Sequence, residues 1–389
     1  MNSMLMLAAV AVQIVPLSGE WKYTRDPSGN RILTRTERKI TMNPNMMNCS
    51  RRGFLGGTLA AGVLPLAAGT KTGSTVDQKT LKTGALGKYV GELAPGCYDA
   101  HTHVYPGKPD PEKLKASFQA AGLTGGLVFS RCPNVRLPSG RTPFTPEEAM
   151  NDVIEWCSAS PSLYPIYWIN PGADNAVELV DMACEKGIYG FKVIRGAEKP
   201  VDEKSLKCYR RMAEKNKPVT FHSGILWDGQ ASSDFFRPAN WEGLLEAPHL
   251  RFALAHVSWP WCDECIAVFG KLLNAVVNRG TEVPEMFIDT TPGTPKIYRR
   301  DTLAKVYTVG YDIAEHVMYG TDCRVNAYNV DWSRDWRRTD DGILTKLGLG
   351  ADTLDDYYRR ALRRYLFGGD NTNRKVPTPD GRDGNRKNS

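Results

Sequence analysis

The sequence predicts one α/β domain, a (β/α)8 TIM barrel that covers residues 96–367. Short β-branched or aromatic runs alternate with segments of 3.6-residue period, eight such runs occur, and they lie about 30 residues apart. This alternation implies parallel strands joined by right-handed crossovers, and eight units close into a barrel of about 250 residues. A doubly wound open sheet is the competing architecture, but no glycine-rich phosphate loop supports it.

The elements of the barrel follow in order from local signals. The strand candidates are residues 98–104, 126–130, 163–170, 189–194, 218–223, 251–257, 286–291 and 317–322. Helix start signals, with a capping residue before proline or acid, occur at Asp110, Thr145 and Asp202. Gly122 and Gly187 stand where two of the helices should end. A last helix is expected at 353–367.

The formal net charge of +7 lies outside the predicted barrel. Residues 1–75 carry 9 Lys+Arg against 3 Asp+Glu, and residues 368–389 carry 5 against 3. Residues 76–367 therefore have a net charge of −1. Because this body lacks the basic excess typical of nucleic-acid-binding proteins, we expect no nucleic-acid partner.

Residues 48–69 resemble a twin-arginine signal peptide. Arg51 and Arg52 precede a Phe-Leu step, a mildly apolar stretch and small residues that end near Ala68. The apolar stretch is shorter than the roughly 20 residues that span a bilayer. We expect export to the periplasm by the twin-arginine machinery, in a folded state, with cleavage near Ala68.

The other terminal segments are expected to lie outside the folded domain. Residues 1–47 lack the order of a targeting signal, so we expect an over-extended or disordered leader with translation starting at Met42, Met46 or Met47. Residues 70–95 are expected to form a linker. Residues 368–389 contain Gly, Pro, Asn and charged residues with little to bury, which predicts a disordered tail.

The nine cysteines do not form a disulfide framework by their spacing. Several lie in apolar periodic segments, such as Cys184 and Cys208, where a free thiol behaves as a small hydrophobe. Cys262 and Cys265 form a lone C-x-x-C with no second pair to complete a zinc ribbon. We expect both on the first turn of a helix.

Four of the six histidines and one acid fall at or near the carboxyl ends of predicted strands. They are His101, His103, His222, His256 and Asp322. In a barrel these ends open on one face, and the two-residue pleat of a strand points the first two histidines into the barrel. A lone strand histidine is usually a hydrogen-bonded core residue, but five such groups on one face predict a divalent metal site.

Four short motifs in chain order resemble those of the amidohydrolase superfamily. They are DAHTH at 99–103, FHSG at 221–224, AHV at 255–257 and YGTD at 319–322. The similarity covers about residues 96–368 and extends to the amidohydrolase-related (type 2) subgroup, which includes metal-dependent hydrolases and non-oxidative decarboxylases. The motifs are specific for the fold and the metal site, but they do not specify a substrate.

The resemblance implies a role for each site residue. His101, His103, His222 and Asp322 are expected to hold one divalent ion, zinc first, with manganese or iron as alternatives. His256 is expected to act as acid or base on the metal-activated water or the substrate. Asp322 is also expected to be catalytic, taking the proton of that water and passing it to the leaving group, which agrees with general acid–base chemistry.

Lys192 falls on the fourth strand candidate. Some members of the superfamily carboxylate a lysine there to bridge a second metal. The alternatives are an ammonium that binds a substrate carboxylate and a purely structural lysine, and we rank the substrate anchor first and the bridge last.

Further residues after strands could bind substrate. Arg131, Asn170 and Arg195 follow the second, third and fourth strand candidates, and Arg324 follows the eighth. Several arginines around one mouth favour a small, carboxylate-bearing substrate, although loop arginines are often only solvated surface.

Three functions remain open on the sequence. The first is a hydrolase that cleaves a lactone, ester or amide bond. The second is a non-oxidative decarboxylase that uses the same ion. The third is a non-catalytic binding barrel, which would be expected to have lost ligands that are all present here.

Overall fold

The computed structural model describes residues 20–25, 31–36, 91–133, 144–194 and 199–369. The signal peptide, most of the linker and tail, and Arg195 lie outside these ranges, so their predicted roles stay predictions. The chain divides into two compact units. In the smaller unit, Glu20–Arg25 pairs antiparallel with Arg31–Thr36. This hairpin lies in the region predicted as a leader, and the predicted translation start stays a prediction.

All eight predicted strands are present in the larger unit, and neighbouring strands pair in parallel. They are β1 (Tyr98–His103), β2 (Gly125–Phe129), β3 (Leu163–Trp168), β4 (Gly190–Val193), β5 (Val219–Phe221), β6 (Arg251–Leu254), β7 (Glu285–Asp289), and the two short pieces β8 (Val317–Met318) and β9 (Cys323–Arg324) of the eighth strand. The first seven end one to three residues before the predicted boundaries. The residues after these ends form the loops of the site.

A single segment, residues 317–324, closes the sheet into a barrel. Its first piece, β8, pairs with β7, and its second piece, β9, pairs with β1. Between them, Ala100 N donates to Tyr319 O and Asp322 N donates to His101 O, both at 2.9 Å. The two edges of the sheet are therefore joined through one strand, which confirms the predicted (β/α)8 barrel.

Helices pack on the outside of the strands. They are α1 (Pro111–Ala120), α2 (Pro146–Cys157), α3 (Ala176–Glu185), α4 (Glu203–Glu214), α5 (Cys262–Asn274), α6 (Val276–Arg279), α7 (Lys296–Thr308), α8 (Val330–Lys346), α9 (Ala351–Asp355) and α10 (Ala361–Phe367). Between β5 and β6 the chain forms the 3-10 helices Ser233–Phe236 and Pro238–Glu246, so the strict alternation of strands and α-helices is interrupted there. The predicted last helix is present, with a π-helical turn at Asp356–Arg360.

Local sequence explains where several helices begin and end. Asp110, Thr145 and Asp202 accept hydrogen bonds from backbone N–H groups in the first turns of α1, α2 and α4, as predicted. Gly122 and Gly187 follow α1 and α3 with φ of +74° and +85°, a conformation that favours glycine. The predicted helix signals are therefore confirmed.

Two apolar layers cover the two faces of the strands. The outer layer joins strands to the surrounding helices. The inner layer joins strand residues such as Tyr98, Phe129 and Phe287 to Leu362 and Tyr365 of α10. Parallel strands buried on both faces need apolar side chains on both, which these sequences supply. Because α10 packs into the inner layer, the opposite, carboxyl end of the barrel is the end that can form a site.

The cysteines behave as the sequence predicts. The eight cysteines in the described ranges are free thiols, and Cys262 and Cys265 lie on the first turn of α5. In the part of the chain that the structure describes, no helix has both the length and the apolar character needed to cross a membrane.

Candidate metal centre

A bulge in β1 directs two histidines into the barrel. The register between β1 and β2 shifts immediately after Asp99, and a β-bulge changes which side chains face inward. Ala100 belongs to the inner apolar layer, and the His101 ring contacts Phe129 of the same layer with 4.7 Å between centroids. The Nε2 atoms of His101 and His103 lie 3.0 Å apart. Both imidazoles therefore present the same nitrogen to one point.

Asp322 reaches these histidines from the segment that closes the barrel. Its backbone has φ of +60°, a left-handed conformation that few residues other than glycine adopt. Its Oδ1 lies 3.4 Å from His103 Nε2 and 3.7 Å from His101 Nε2. The three ligand atoms all lie within 4.8 Å of one another. The structure thus brings together three of the four predicted metal ligands.

His222 and His256 extend this group across β5 and β6. Their ring centroids lie 4.9 Å apart, and the centroid of His256 lies 5.2 Å from that of His101. Within the described ranges, His222 Nε2 and His256 Nδ1 are buried without a hydrogen-bond partner. A buried polar atom without a partner is costly in an ordinary core and is common where a ligand binds. His222 does not belong to the 4.8 Å group, so its role as a metal ligand stays a prediction.

The backbone that carries His256 is strained. His256, Val257 and Ser258 have φ of 62°, 46° and 54°, although β-branched residues rarely adopt the left-handed region. Such strain persists only where the surroundings enforce it, and it concentrates at functional sites. Gly293 packs so closely that an added Cβ would lie 2.9 Å from His256 Cβ. The surroundings therefore fix His256 beside His101.

Lys192 enters the same space from β4. Its side chain is fully buried, and Nζ lies 5.1 Å from the centroid of the Phe129 ring without a hydrogen-bond partner in the described chain. Burial lowers the pKa of Lys192 to about 8, while the carboxylates of Asp289 and Asp322 act in the opposite direction. The group is an unpaired ammonium at neutral pH. The anchor, structural and bridge interpretations all stay predictions.

Burial also sets the charge of the other groups. It lowers the pKa of all four site histidines, that of His256 to about 4, so the imidazoles are neutral. Desolvation raises the pKa of Asp322 to about 7 even though solvent reaches 41% of its side chain, and Asp289 and Asp99 raise it further against the effect of Lys192. Neutral imidazole is the form that binds a metal, and a cation would favour the ionised carboxylate.

The group fits a divalent ion. Ligand atoms about 2.1 Å from a tetrahedral ion lie about 3.4 Å apart, and the three measured separations are 3.0, 3.4 and 3.7 Å. Two imidazole nitrogens and a carboxylate oxygen suit zinc, manganese or iron. The unpaired Nε2 of His222 is available as a further donor.

Asp289, the last residue of β7, is a site residue that the sequence interpretation missed. It is fully buried, and its Oδ2 lies 2.5 Å from His101 Nδ1. Its Oδ1 accepts hydrogen bonds from Thr291 N, at 2.8 Å, and Thr291 Oγ1. The signal that could have revealed it is the same as for Asp322, an acid at the carboxyl end of a barrel strand.

Asp99 is a second buried carboxylate whose role the sequence did not reveal. It accepts hydrogen bonds from His101 N at 3.0 Å, Thr321 N at 3.0 Å, Thr321 Oγ1 at 2.6 Å and Tyr328 OH at 2.8 Å. Burial raises the pKa of Asp99 to about 7, against the effect of these donors. Because three of its donors belong to His101 of β1 and Thr321 of the closing segment, Asp99 connects the backbones that carry His101 and Asp322.

The predicted substrate-binding residues that follow β2 and β3 contact the protein itself. Arg131 Nη2 donates to Gly107 O at 2.7 Å and to Asp152 Oδ1 at 3.2 Å. Asn170 is exposed, and its Oδ1 accepts from the backbone N–H two residues further on. These contacts explain the positions of the two side chains without a substrate. Substrate binding by Arg131, Asn170 and Arg195 stays a prediction.

No family model matches the chain, and no curated protein matches it. Solved structures that are similar include a putative amidohydrolase from Staphylococcus aureus, with 11% identity, 69% of this chain and 99% of that chain covered, and a TM-score of 0.45. A COG1816 amidohydrolase with bound Zn from Burkholderia ambifaria has 14% identity, coverage of 69% and 72%, and a TM-score of 0.42. The flavin-binding domain of baker's yeast flavocytochrome b2 has 12% identity, coverage of 72% and 68%, and a TM-score of 0.36. Likeness of this degree carries no argument about activity.

Proposed function

We propose that the chain is a metal-dependent hydrolase of the amidohydrolase superfamily, in its amidohydrolase-related subgroup. It cleaves a lactone, ester or amide bond of a small molecule with water activated by one divalent ion, zinc first and manganese or iron as alternatives. The observation that carries the proposal is the convergence of His101, His103 and Asp322 on one point at the carboxyl end of the barrel. The four sequence motifs support the same assignment.

The residues divide the chemistry among them. A bound divalent ion supplies the positive charge that polarises a carbonyl group and activates water near pH 7. His101 and His103 are neutral and offer their Nε2 lone pairs. Asp322 Oδ1 lies beside the same point, where a bound cation would favour its ionised form, and it can accept a proton from water and donate it to the leaving group. His256, with an unpaired Nδ1, can hydrogen-bond the oxygen that gains charge.

The surroundings of Lys192 support the proposal that the substrate carries a carboxylate. Its buried ammonium lacks a hydrogen-bond partner within the described part of the chain, and an entering carboxylate would supply a charge-assisted one. The same contact would also hold the carboxylate that a decarboxylase removes. Lys192 is therefore the observation that keeps a non-oxidative decarboxylase as the second candidate function.

A substrate screen in water enriched in oxygen-18 tests the proposal and separates the two candidates. The panel contains lactones, esters, amides and aromatic carboxylic acids, each with and without an added carboxylate. Hydrolysis places the heavy oxygen in the product, whereas decarboxylation releases carbon dioxide. Turnover of none of these substrates by zinc-, manganese- or iron-loaded protein would count against both candidates.

His101→Ala is the matched test of the site. We expect loss of measurable turnover because the variant lacks one of the three converging ligand atoms. His249→Ala is the control, since His249 is half exposed and contacts Glu282 on the surface. Full turnover by His101→Ala would overturn the assignment, and loss of turnover in the control would make it uninformative about the site.

We also propose export to the periplasm through the twin-arginine machinery. The order of Arg51, Arg52, the apolar stretch and the small residues supports it. Replacing both arginines by lysine is expected to leave the precursor in the cytoplasm, as measured by cell fractionation. Equal periplasmic amounts of the variant and the unaltered chain would contradict this route.

A further inference from the structure

We propose that Asp289 is a positioning residue that fixes the orientation and tautomer of His101. In this orientation, Nε2 faces the point on which the ligand atoms of His103 and Asp322 also converge. The inference rests on the proposed function, because it assigns His101 to a metal. Asp289 does not itself contact that point in this account. It acts through the far nitrogen of a ligand.

The first step is the contact between Asp289 and His101. The carboxylate Oδ2 lies 2.5 Å from Nδ1, and each side chain is only 1% exposed. A carboxylate beside Nδ1 favours a proton on that nitrogen, since a buried acceptor needs a donor. The lone pair then lies on Nε2, the atom that is 3.0 Å from His103 Nε2 and 3.7 Å from Asp322 Oδ1.

The second step is that Asp289 is itself held in place. Its other oxygen, Oδ1, accepts from both the backbone N–H and the hydroxyl of Thr291. Rotation of the carboxylate away from His101 would break these bonds inside a water-poor core, where unpaired polar groups are costly. The orientation of the imidazole is therefore transmitted from the backbone at the end of β7.

The third step is that the neighbouring chain leaves space for this arrangement. A Cβ on Gly320 would lie 2.4 Å from Thr291 Oγ1 and 2.9 Å from His101 Cβ. Only a residue without a side chain fits between these two groups. Asp289 contacts Thr291 on one side and His101 on the other. Gly320 of the closing segment packs against both Thr291 and His101.

Other roles for Asp289 agree less well with these contacts. The group of ligand atoms within 4.8 Å among the described residues contains His101, His103 and Asp322 and omits Asp289. Asp289 Oδ1 already accepts two hydrogen bonds from Thr291, and Oδ2 faces His101 Nδ1 inside the fully buried core. Carboxylates in this relation to a ligating histidine typically strengthen metal binding 10- to 100-fold.

Asp289→Asn in the full chain tests the proposal. We expect its Zn²⁺ dissociation constant, measured by competition with a chromophoric chelator, to be about 10- to 100-fold higher than that of the unaltered protein. The absorption spectrum of the Co²⁺-loaded variant should change, because the neutral amide of Asn no longer favours a proton on His101 Nδ1. Asp263→Asn is the control, since Asp263 is 74% exposed and pairs with Lys305 on the surface.

The tautomer of His101 gives a readout that needs no metal. Long-range ¹H–¹⁵N spectra of the metal-free protein should show the Nδ1–H form of His101, and a changed or mixed population in Asp289→Asn. An Nε2–H form in the unaltered protein would overturn the proposal. A protein that binds no divalent ion would overturn the proposed function, while this spectrum still decides the role of Asp289.

Thr291→Val keeps the test usable where Asp289→Asn does not fold. It removes the hydroxyl that holds Asp289 Oδ1 and leaves the carboxylate in place. A smaller rise in the Zn²⁺ dissociation constant than the range expected for Asp289→Asn supports the proposal. Dissociation constants equal to that of the unaltered protein in every variant that folds would contradict it.

Discussion

Two buried histidines at opposite ends of the barrel differ in their hydrogen-bond partners. His316, just before β8 at the amino end, is hydrogen-bonded at both ring nitrogens, to Ala314 O at 2.5 Å and Glu285 Oε1 at 2.9 Å. His256, at the carboxyl end, has a buried Nδ1 without a partner among the described residues. Both histidines are at least 90% buried. The two histidines are therefore alike in burial and differ in their hydrogen-bond partners.

The surroundings of the two histidines extend this contrast. At the amino end, Glu285 Oε1 also accepts a hydrogen bond from Arg364 Nε at 2.6 Å, and this bond connects β7 to α10. At the carboxyl end, neither the ammonium of Lys192 nor Nε2 of His222 has a hydrogen-bond partner among the residues that the structure describes. Paired charges stabilise the folded chain only as long as both partners remain, whereas unpaired groups lower its stability and are free to bind a ligand.

The largest change in the free energy of unfolding is expected from removing Glu285, at the amino end of the barrel. Glu285→Ala removes the carboxylate that Arg364 Nε and His316 Nε2 share, while Arg364 Nη1 keeps its 3.4 Å contact with Glu315 Oε2, and we expect a loss of about 3–5 kcal/mol in the free energy of unfolding. Urea denaturation followed by circular dichroism measures it. Glu282→Ala is the surface control, at 66% exposure, with an expected change of no more than about 0.5 kcal/mol. Equal losses in the two variants would remove the contrast.

At the carboxyl end of the barrel, removing the charge of Lys192 should instead increase the free energy of unfolding. Lys192→Met replaces a buried ammonium without a hydrogen-bond partner by an apolar side chain of similar length. The lowering of the pKa from 10.5 to about 8 corresponds to up to about 3 kcal/mol in the free energy of unfolding of the metal-free protein at pH 7. We expect higher stability of the variant together with weaker binding of carboxylate-bearing substrates. A less stable variant would indicate that Lys192 is structural.

The advantage of Lys192→Met should depend on pH. Between pH 8 and 10.5 the unfolded chain retains the lysine proton and the folded chain releases it. The free energy of unfolding of the unaltered protein therefore rises with pH in this window. The cost of the ammonium is fully present below pH 8 and lost above pH 10.5. Chelator-treated samples of both proteins should thus differ most at pH 7 and least near pH 10.5, and a constant difference would contradict the assigned shift.

The smallest changes in the free energy of unfolding are expected from replacing Gly320 and Gly342, and they should have opposite signs. A Cβ on Gly320 would overlap Thr291 Oγ1 and His101, so Gly320→Ala should lower the free energy of unfolding by about 1–3 kcal/mol and weaken zinc binding. Gly342 lies exposed in α8 with open space around it, so Gly342→Ala should raise the free energy of unfolding by about 0.5–1 kcal/mol. Thermal unfolding and zinc titration of both variants check the pair. Similar behaviour of the two would show that the close contact at Gly320 is unimportant.

The fold could be predicted because its signals are local. β-propensity located all eight strands, and capping residues such as Thr145 located helix starts. Convergence of His101, His103 and Asp322 followed from the topology once the strands were known. The residue at which each strand ends could not be predicted. Loop residues such as Val257 adopt left-handed backbone conformations that only tertiary contacts enforce.

The parts that the sequence missed are long-range contacts. Asp289 pairs with a histidine 188 positions away, and no local pattern encodes that pairing. The bulge that turns His101 inward is defined by the register against β2. Arg131 donates to Gly107 O and Asp152 Oδ1, two partners that the sequence did not reveal, and its contact with a substrate stays a prediction. Side-chain partners of this kind depend on packing between elements, which the periodicity of one element does not contain.

Metal content shows whether His101, His103 and Asp322 form a metal centre. The unaltered protein and Asp322→Ala are saturated with Zn²⁺, freed of excess ion on a desalting column and compared by elemental analysis. The converging ligand atoms of His101, His103 and Asp322 predict about one ion per chain in the unaltered protein and a large loss in the variant. A protein that retains no ion, or a variant that retains as much as the unaltered chain, would contradict a metal centre at this site.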